Sequence, residues 1–339
     1  MIADFHAKAI ELINCGKLVA CYSRSQLKAD DFGKKYNCKG YSDLKKFLSH
    51  KSLDIVTICT PSGTHLDYAL KVAEAGMNVI IEKPLEVTLN RCDKIIEIFE
   101  KNKLKIAVVF QSRFYDAANI FKNAIAENRF GKLVLGDAYV KWYRNQKYYD
   151  DDKWKGTIKF DGGGALMNQS IHAIDLLQWY MGPVDSVKAF MGILGHKRIE
   201  VEDTAIAILK FKSGALGVIE GSTATFPGFL KRIEISGTKG TAALEEDHLN
   251  VWSFADRNLG DDEIIENFFI KHKDKNIGGA SNPSSISFFG HKKQFENFIE
   301  SIERNDIPLV DGYEARKSVE IILAIYKSAY LDKTISLPL

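Results

Sequence analysis

Short apolar runs alternate with helical segments through the first 110 residues, and this alternation is the strongest constraint on the fold. The apolar runs lie at Lys17–Tyr22, Asp54–Thr60, Val79–Ile81 and Ile106–Phe110. Strands that alternate with helices of this length predict βαβ units and a parallel sheet. Right-handed crossovers place the loops that follow the strands at one edge of that sheet. The sequence therefore predicts an α/β domain with a parallel sheet.

Polar residues follow three of these runs. They are Ser23-Arg24, Thr60-Pro61-Ser62 and Glu82-Lys83-Pro84. Open α/β sheets bind their ligands beyond the carboxyl ends of the strands. A lysine held there can be partly desolvated, which lowers its pKa and suits it to proton transfer. A lone Glu-Lys-Pro tripeptide could equally be a solvated turn, but three polar loops at the same edge favour a ligand site.

After about residue 132 the pattern changes to that of an antiparallel sheet. Extended segments are predicted at 132–142 and 184–194, and hairpins at 203–225 and 232–245. The polar stretch 258–287 is predicted to be a long loop. Two domains follow, an α/β domain at 1–112 and an α+β domain at 113–339. A large open sheet with one free face suits a homodimer or homotetramer interface.

Composition excludes several classes of partner. A formal net charge of +2 gives no electrostatic case for binding nucleic acid or an anionic membrane. The five cysteines form no Cys-x-x-Cys pair, which favours a reduced, cytoplasmic setting. No apolar run is long enough to span a bilayer, and the first residues lack the pattern of a signal peptide. No Cys/His cluster predicts a metal site.

A glycine-rich segment leads into a second polar constellation. Gly162-Gly163-Gly164 permits a sharp turn or a close approach to a ligand. Asn168, His172 and Asp175 follow at i, i+4 and i+7, so one helix face is expected to carry all three. His172 could relay a proton, with Asp175 fixing its tautomer. The alternative is a core histidine satisfied by Asp175.

Aromatic residues precede the glycines and suit the C–H faces of a sugar. Tyr143, Arg144 and Trp154 are therefore candidate substrate contacts, although the same segment could be a packed loop. Gln111 and Arg113 follow the last strand of the first domain and are further candidates. A dinucleotide-binding fold should begin with a strand and a Gly-rich loop. The first residues instead have the pattern of the following helix, so that first strand is expected to be absent, through truncation or a misassigned start.

Three segments together resemble the glucose–fructose oxidoreductase/inositol dehydrogenase (Gfo/Idh/MocA) family. They are Thr60 to His65, Gly76 to Pro84 and Gly162 to Asp175. The resemblance implies an N-terminal Rossmann domain and a C-terminal α+β domain with an open antiparallel sheet. It also implies hydride transfer between a nicotinamide cofactor and a carbon of a sugar, cyclitol or related polyol.

The resemblance assigns roles residue by residue. Lys83 and His172 match the catalytic positions, and the Lys83-Pro84 peptide is frequently cis in the family. Asn168 stands where inositol dehydrogenase-like members carry Asp, so it would orient a hydroxyl rather than act as a base. The expected substrate contacts are Asn168, Asp175, Tyr143, Arg144, Trp154 and Arg113. The expected cofactor contacts are Ile2, Ala3, Ser23, Arg24, Thr60, Pro61, Ser62, His65, Glu82, Lys83 and Gln111.

The cofactor is expected to be NADP or NAD. NAD-selective proteins place an acidic residue after the second Rossmann strand, whereas this chain has Arg24 there. An arginine can pair with a 2′-phosphate, which favours NADP. Two other functions stay open. They are an NAD-dependent glycosidase of the same fold and a non-catalytic dinucleotide-binding regulator.

Overall fold

The computed structural model describes residues 2–269 and 288–339, which form two compact units. The first unit contains 2–86, 90–111 and 288–314, and the second contains 87–89, 112–269 and 315–339. The prediction placed one boundary near residue 112. The structure differs from this prediction, because 288–314 joins the first unit and 87–89 joins the second.

Helices and strands are numbered along the described residues. The helices are α1 (Ile2–Glu11), α2 (Gln26–Lys35), α3 (Leu44–Leu48), α4 (His65–Glu74), α5 (Leu89–Lys101), α6 (Asp116–Ala126), α7 (Gln146–Asp150), α8 (Ile171–Met181), α9 (Asp261–Phe268), α10 (Phe289–Glu303) and α11 (Gly312–Leu331). The strands are β1 (Ala20–Tyr22), β2 (Lys39–Tyr41), β3 (Ile55–Ile58), β4 (Asn78–Ile81), β5 (Ile106–Val108), β6 (Leu133–Lys141), β7 (Val184–Gly192), β8 (Thr204–Phe211), β9 (Leu216–Ser222), β10 (Arg232–Gly237), β11 (Gly240–Glu245), β12 (His248–Phe254) and β13 (Ile335–Ser336). None of these helices is long and apolar enough to cross a membrane.

The first unit has parallel strands, as predicted. β3, β4 and β5 form one sheet in that order, and β1 pairs with β2 in another. A cavity of about 260 Å³ is lined by residues of both sheets and by α1, among them Ala20, Thr57 and Ala7. Within the described residues no strand bridges the two sheets.

Helix α10 belongs to the first unit because its apolar side completes the core there. Phe295 and Phe298 are buried against Ile80 of β4. The Gln294 side chain also satisfies the free edge beside β5. It accepts a hydrogen bond from Phe110 N at 3.0 Å and donates one to Val108 O at 2.6 Å. These two hydrogen bonds explain why a helix that is distant in the sequence packs beside β5.

The second unit is built on a sheet of eight strands within the described residues. Its order is β12-β11-β10-β6-β9-β8-β7-β13, and all pairs are antiparallel except β6 with β9. Helix α8 lies on one face, where the Gly136 backbone leaves room for the Met181 side chain. The stretch predicted as a long loop contains α9. Its remaining residues, 270–287, lie outside the described part of the chain.

Candidate active site

Lys83 lies two residues after β4, at the carboxyl end of the three-stranded parallel sheet. It is partly exposed. The Lys83-Pro84 peptide is cis, which confirms the expectation from the family. Glu82 N donates to Ile58 O at 3.0 Å, so the loop begins while the strands are still paired. This pairing fixes the backbone on which Lys83 is carried.

Glu82 is buried in a charged pair with a residue that sequence analysis missed. Its Oε1 lies 2.7 Å from His6 Nε2, and the other ring nitrogen of His6 lies 2.5 Å from Thr57 Oγ1. Burial alone would lower the pKa of His6, but Cys59 and Glu82 raise it to about 10. Burial opposes ionisation of Glu82 as well, yet His6 lowers its pKa to about 2. The expected cofactor contact of Glu82 is therefore replaced by this internal pair.

His65 connects two of the polar loops instead of facing a ligand. It is fully buried, with Nδ1 2.9 Å from Pro84 O and Nε2 3.0 Å from Thr60 O. The expectation that it contacts the cofactor is corrected accordingly. Pro61 and Thr60 remain partly exposed, whereas Ser62 is buried at the start of a short 3-10 helix.

The remaining cofactor candidates of the first unit lie after β1 and at the start of α1. Arg24 is exposed after β1, and Ser23 is held there by its N–H bond to Tyr41 O at 3.0 Å. Ile2 and Ala3 form the first turn of α1 and are partly exposed.

Gln111 provides a buried hydrogen-bond acceptor beyond the end of β5. It is buried just beyond β5, and its Oε1 has no hydrogen-bond partner among the described residues. Buried acceptors are normally paired. A dinucleotide bound at the strand ends would give this amide a partner, so the residues fit such a cofactor.

In the second unit, a π-helical turn at Ala165–Ser170 precedes α8. Both Asn168 and His172 are partly exposed, but they do not lie on one regular helix. A π-helix shifts residues around the axis relative to an α-helix. Asn168 therefore does not share a regular helix with His172 and Asp175, which both lie on α8, and Asp175 is fully buried.

Asp175 instead pairs with Arg113. Both side chains are fully buried, and two N–H···O contacts of 2.7 Å join them. Ser318 also donates to the carboxylate at 3.2 Å, and the guanidinium lies 5.1 Å from the centre of the Trp179 ring. The expectation that Asp175 and Arg113 touch the substrate is corrected, because neither side chain is accessible. Their pair holds α8, which carries His172.

Asn168 is oriented by polar neighbours on both sides of its amide. Its Nδ2 donates to Asp161 Oδ1 at 2.5 Å, and its Oδ1 accepts from Gln169 Nε2 at 3.1 Å. Gln169 also donates to the Tyr148 hydroxyl at 2.9 Å and accepts from Arg144 at 3.0 Å. Sequence analysis missed Asp161 and Gln169 as members of this network. Their place in the glycine-rich segment was the available signal.

The aromatic segment is packed to different degrees. Arg144 is buried, with its guanidinium 5.0 Å from the Trp142 ring centre, and burial lowers its pKa. Arg144 donates a hydrogen bond to Gln169, so the expectation that Arg144 contacts the substrate is corrected. Tyr143 and Trp154 are partly exposed and stay candidates for the substrate.

Glu202 anchors the start of the π-helical turn that carries Asn168 and leads into α8. Its carboxylate accepts hydrogen bonds from Gly164 N at 2.9 Å, Leu166 N at 2.8 Å and the Tyr326 hydroxyl at 2.9 Å. The backbone approach is so close that a Cβ on Gly164 would lie 1.8 Å from Glu202 O. No local sequence pattern predicts this contact between Glu202 and the backbone of the glycine-rich segment.

Burial raises the pKa of Glu202 from 4.5 to about 7, although the bonds from Leu166 and Gly164 oppose the shift. The folded state therefore holds a proton that the unfolded chain has released. Its contribution to the free energy of unfolding is fully present below pH 4.5 and is lost as the pH rises through about 7. Chemical denaturation across this pH range should show the loss. Glu202→Gln should abolish this pH dependence of the free energy of unfolding, whereas Glu200→Gln, at an exposed neighbour, should retain it.

Comparisons with known proteins agree with this architecture. A model described as "Oxidoreductase family, NAD-binding Rossmann fold" matches residues 1–110, and one described as "GFO/IDH/MocA C-terminal domain" matches 120–243. Myo-inositol 2-dehydrogenase of Thermotoga maritima is 26% identical over 327 residues, covering 94% of this chain and 93% of its own.

Two solved structures are more similar in sequence. The WlbA dehydrogenase of Bordetella pertussis, in complex with NADH and UDP-GlcNAcA, is 31% identical with a TM-score of 0.89 and covers 100% of this chain and 95% of its own. The Chromobacterium violaceum WlbA dehydrogenase, with the same two ligands, is 32% identical with a TM-score of 0.86 and covers 100% and 93%. The chain thus belongs to the GFO/IDH/MocA family of NAD-binding oxidoreductases, which transfer hydride between nicotinamide and a hydroxyl-bearing carbon of a sugar, cyclitol or sugar derivative.

Proposed function

We propose that this protein is an NAD-dependent dehydrogenase of a nucleotide-linked sugar acid of the UDP-GlcNAcA type. The observation that carries the proposal is the similarity to the two WlbA dehydrogenases, which spans the whole chain. Both were solved with NADH and UDP-GlcNAcA bound. The cyclitol dehydrogenases are similar too, at 25–26% identity, so inositol is the competing substrate.

NAD is proposed in preference to NADP. The NADH complexes of both WlbA dehydrogenases support this choice. Arg24, which favoured NADP in the sequence, is exposed after β1. An exposed guanidinium can stack on adenine as well as pair with a phosphate. Its position therefore accommodates NAD.

The proposed roles of the site residues follow from the accessibility of their side chains. Lys83 accepts the proton of the substrate hydroxyl during oxidation and returns it during reduction. His172 is the second candidate for this proton transfer. Asn168 orients a substrate hydroxyl through an amide that Asp161 and Gln169 hold in place. The nicotinamide, when bound, supplies the hydride acceptor.

The outer face of the large sheet is proposed as the contact between copies of the chain. Four of its apolar side chains are half or more exposed: Phe190, Ile206, Ile208 and Leu216. They come from the neighbouring strands β7, β8 and β9. Exposed apolar patches of this kind mark association surfaces.

A substrate comparison tests the proposed activity. UDP-GlcNAcA, UDP-GlcNAc and myo-inositol would each be assayed with NAD and with NADP by the absorbance of the reduced nicotinamide. We expect kcat/KM to be highest for UDP-GlcNAcA with NAD, on the order of 100-fold above UDP-GlcNAc, which lacks the carboxylate. Faster oxidation of inositol would overturn the substrate, and a lower Kd for NADP would overturn the cofactor. Free sugar released without net cofactor turnover would indicate a glycosidase instead.

A further inference from the structure

Three side chains of the first unit converge around a single point. His6 comes from α1, Glu82 from the end of β4 and His291 from α10. One potential ligand atom from each lies within 4.8 Å of the other two. All three side chains are buried, with relative exposures of 1%, 6% and 2%. Because the two imidazoles and the carboxylate are buried together, they do not form a solvated surface and are suited to binding a metal ion.

We propose that His6, Glu82 and His291 bind a zinc ion. Two imidazoles and one carboxylate are a known set for zinc, whereas calcium and magnesium prefer oxygen ligands alone. The proposal is independent of the substrate and cofactor proposed above. The ion would join α1, β4 and α10 within the first unit.

The distances suit a tetrahedral ion after small side-chain movements. Zinc bonds of about 2.0–2.1 Å at tetrahedral angles place neighbouring ligand atoms about 3.4 Å apart. Glu82 Oε1 lies 2.7 Å from His6 Nε2 and 4.0 Å from His291 Nε2. The two observed distances bracket the required one. Small χ rotations of these side chains would equalise them.

The surroundings favour ligation as well. His6 Nδ1 is bonded to Thr57 Oγ1 at 2.5 Å, which fixes the ring with Nε2 directed at Glu82. Hydrogen bonds of this kind orient metal-binding histidines.

Zinc also needs access and a fourth ligand. The cavity of about 260 Å³ in this unit is lined by His6, Thr57 and Cys59. Of the three proposed ligands this cavity is lined by His6, and it is large enough to admit water. Three protein ligands and one water would complete the tetrahedron.

Metal titration of the full chain tests the site without substrate or cofactor. Protein stripped with a chelator would be dialysed and titrated with Zn²⁺ against a chromophoric competitor. We expect one Zn²⁺ per chain with a Kd below about 1 µM. Glu82→Gln and His291→Ala should each weaken binding by on the order of 100-fold. Thr57→Val, which keeps all three ligands, should weaken it by roughly 10-fold.

His248→Ala is the matched control. His248 also lies beside a carboxylate, 2.8 Å from Asp247, but it is half exposed and outside the cluster. This variant should bind Zn²⁺ like the wild type. Circular dichroism would confirm that each variant is folded. If His291→Ala does not fold, Thr57→Val tests the site in its place. Negligible binding by the wild type, or an equal loss in His248→Ala, would overturn the site.

Discussion

Replacing Lys83 with methionine should lower kcat by on the order of 10³-fold and leave the Kd of NAD within about threefold of the wild-type value. Methionine keeps the length of the side chain but can neither accept nor donate the hydroxyl proton. The loop should keep its conformation, because Glu82 N still bonds to Ile58 O. Steady-state kinetics and cofactor fluorescence titration measure the two quantities.

Lys212→Met is the control for loss of a positive charge. Lys212 is exposed in the turn between β8 and β9, and its substitution should leave kcat unchanged. If Lys83→Met turned over at the wild-type rate, Lys83 would have no part in the proton transfer. His172 would then be the leading candidate for it.

Replacing Arg113 with methionine should destabilise the second unit by roughly 3–5 kcal/mol. The carboxylate of Asp175 would then remain fully buried without its charged partner. Uncompensated buried charges are among the costliest consequences of a single substitution. Urea denaturation, followed by tryptophan fluorescence because Trp179 lies against the guanidinium, would measure the loss.

The double variant Arg113→Met/Asp175→Leu separates burial of a charge from loss of packing. Removing both charges should cost clearly less than the sum of the two single variants, since no unpaired ion remains. Strictly additive losses would show that the two residues stabilise the unit independently.

Local sequence patterns predicted those strands whose own residues form an uninterrupted buried apolar run. Val79, Ile80 and Ile81 are buried apolar residues of a strand, and an uninterrupted apolar run predicts such a strand. The polar loops after β1, β3 and β4 followed from the same alternation. The cis Lys83-Pro84 peptide came from the resemblance to the family.

Features that depend on distant partners were not predictable from local patterns. His6 and Glu82 are 76 residues apart, so no periodicity indicates their pairing. The predicted face of Asn168 and Asp175 assumed a regular α-helix, which the π-helical turn breaks. Helix α10 packs against Ile80, and this contact between segments far apart in the chain depends on tertiary structure.

A single-turnover reaction tests the proposed activity most directly. Protein in excess over NAD would be mixed with saturating UDP-GlcNAcA, and the absorbance of reduced nicotinamide would be followed in wild type and Lys83→Met. We expect a rapid rise in the wild type and a rise slowed by on the order of 10³-fold in the variant. No rise in wild-type protein that binds both ligands would contradict it.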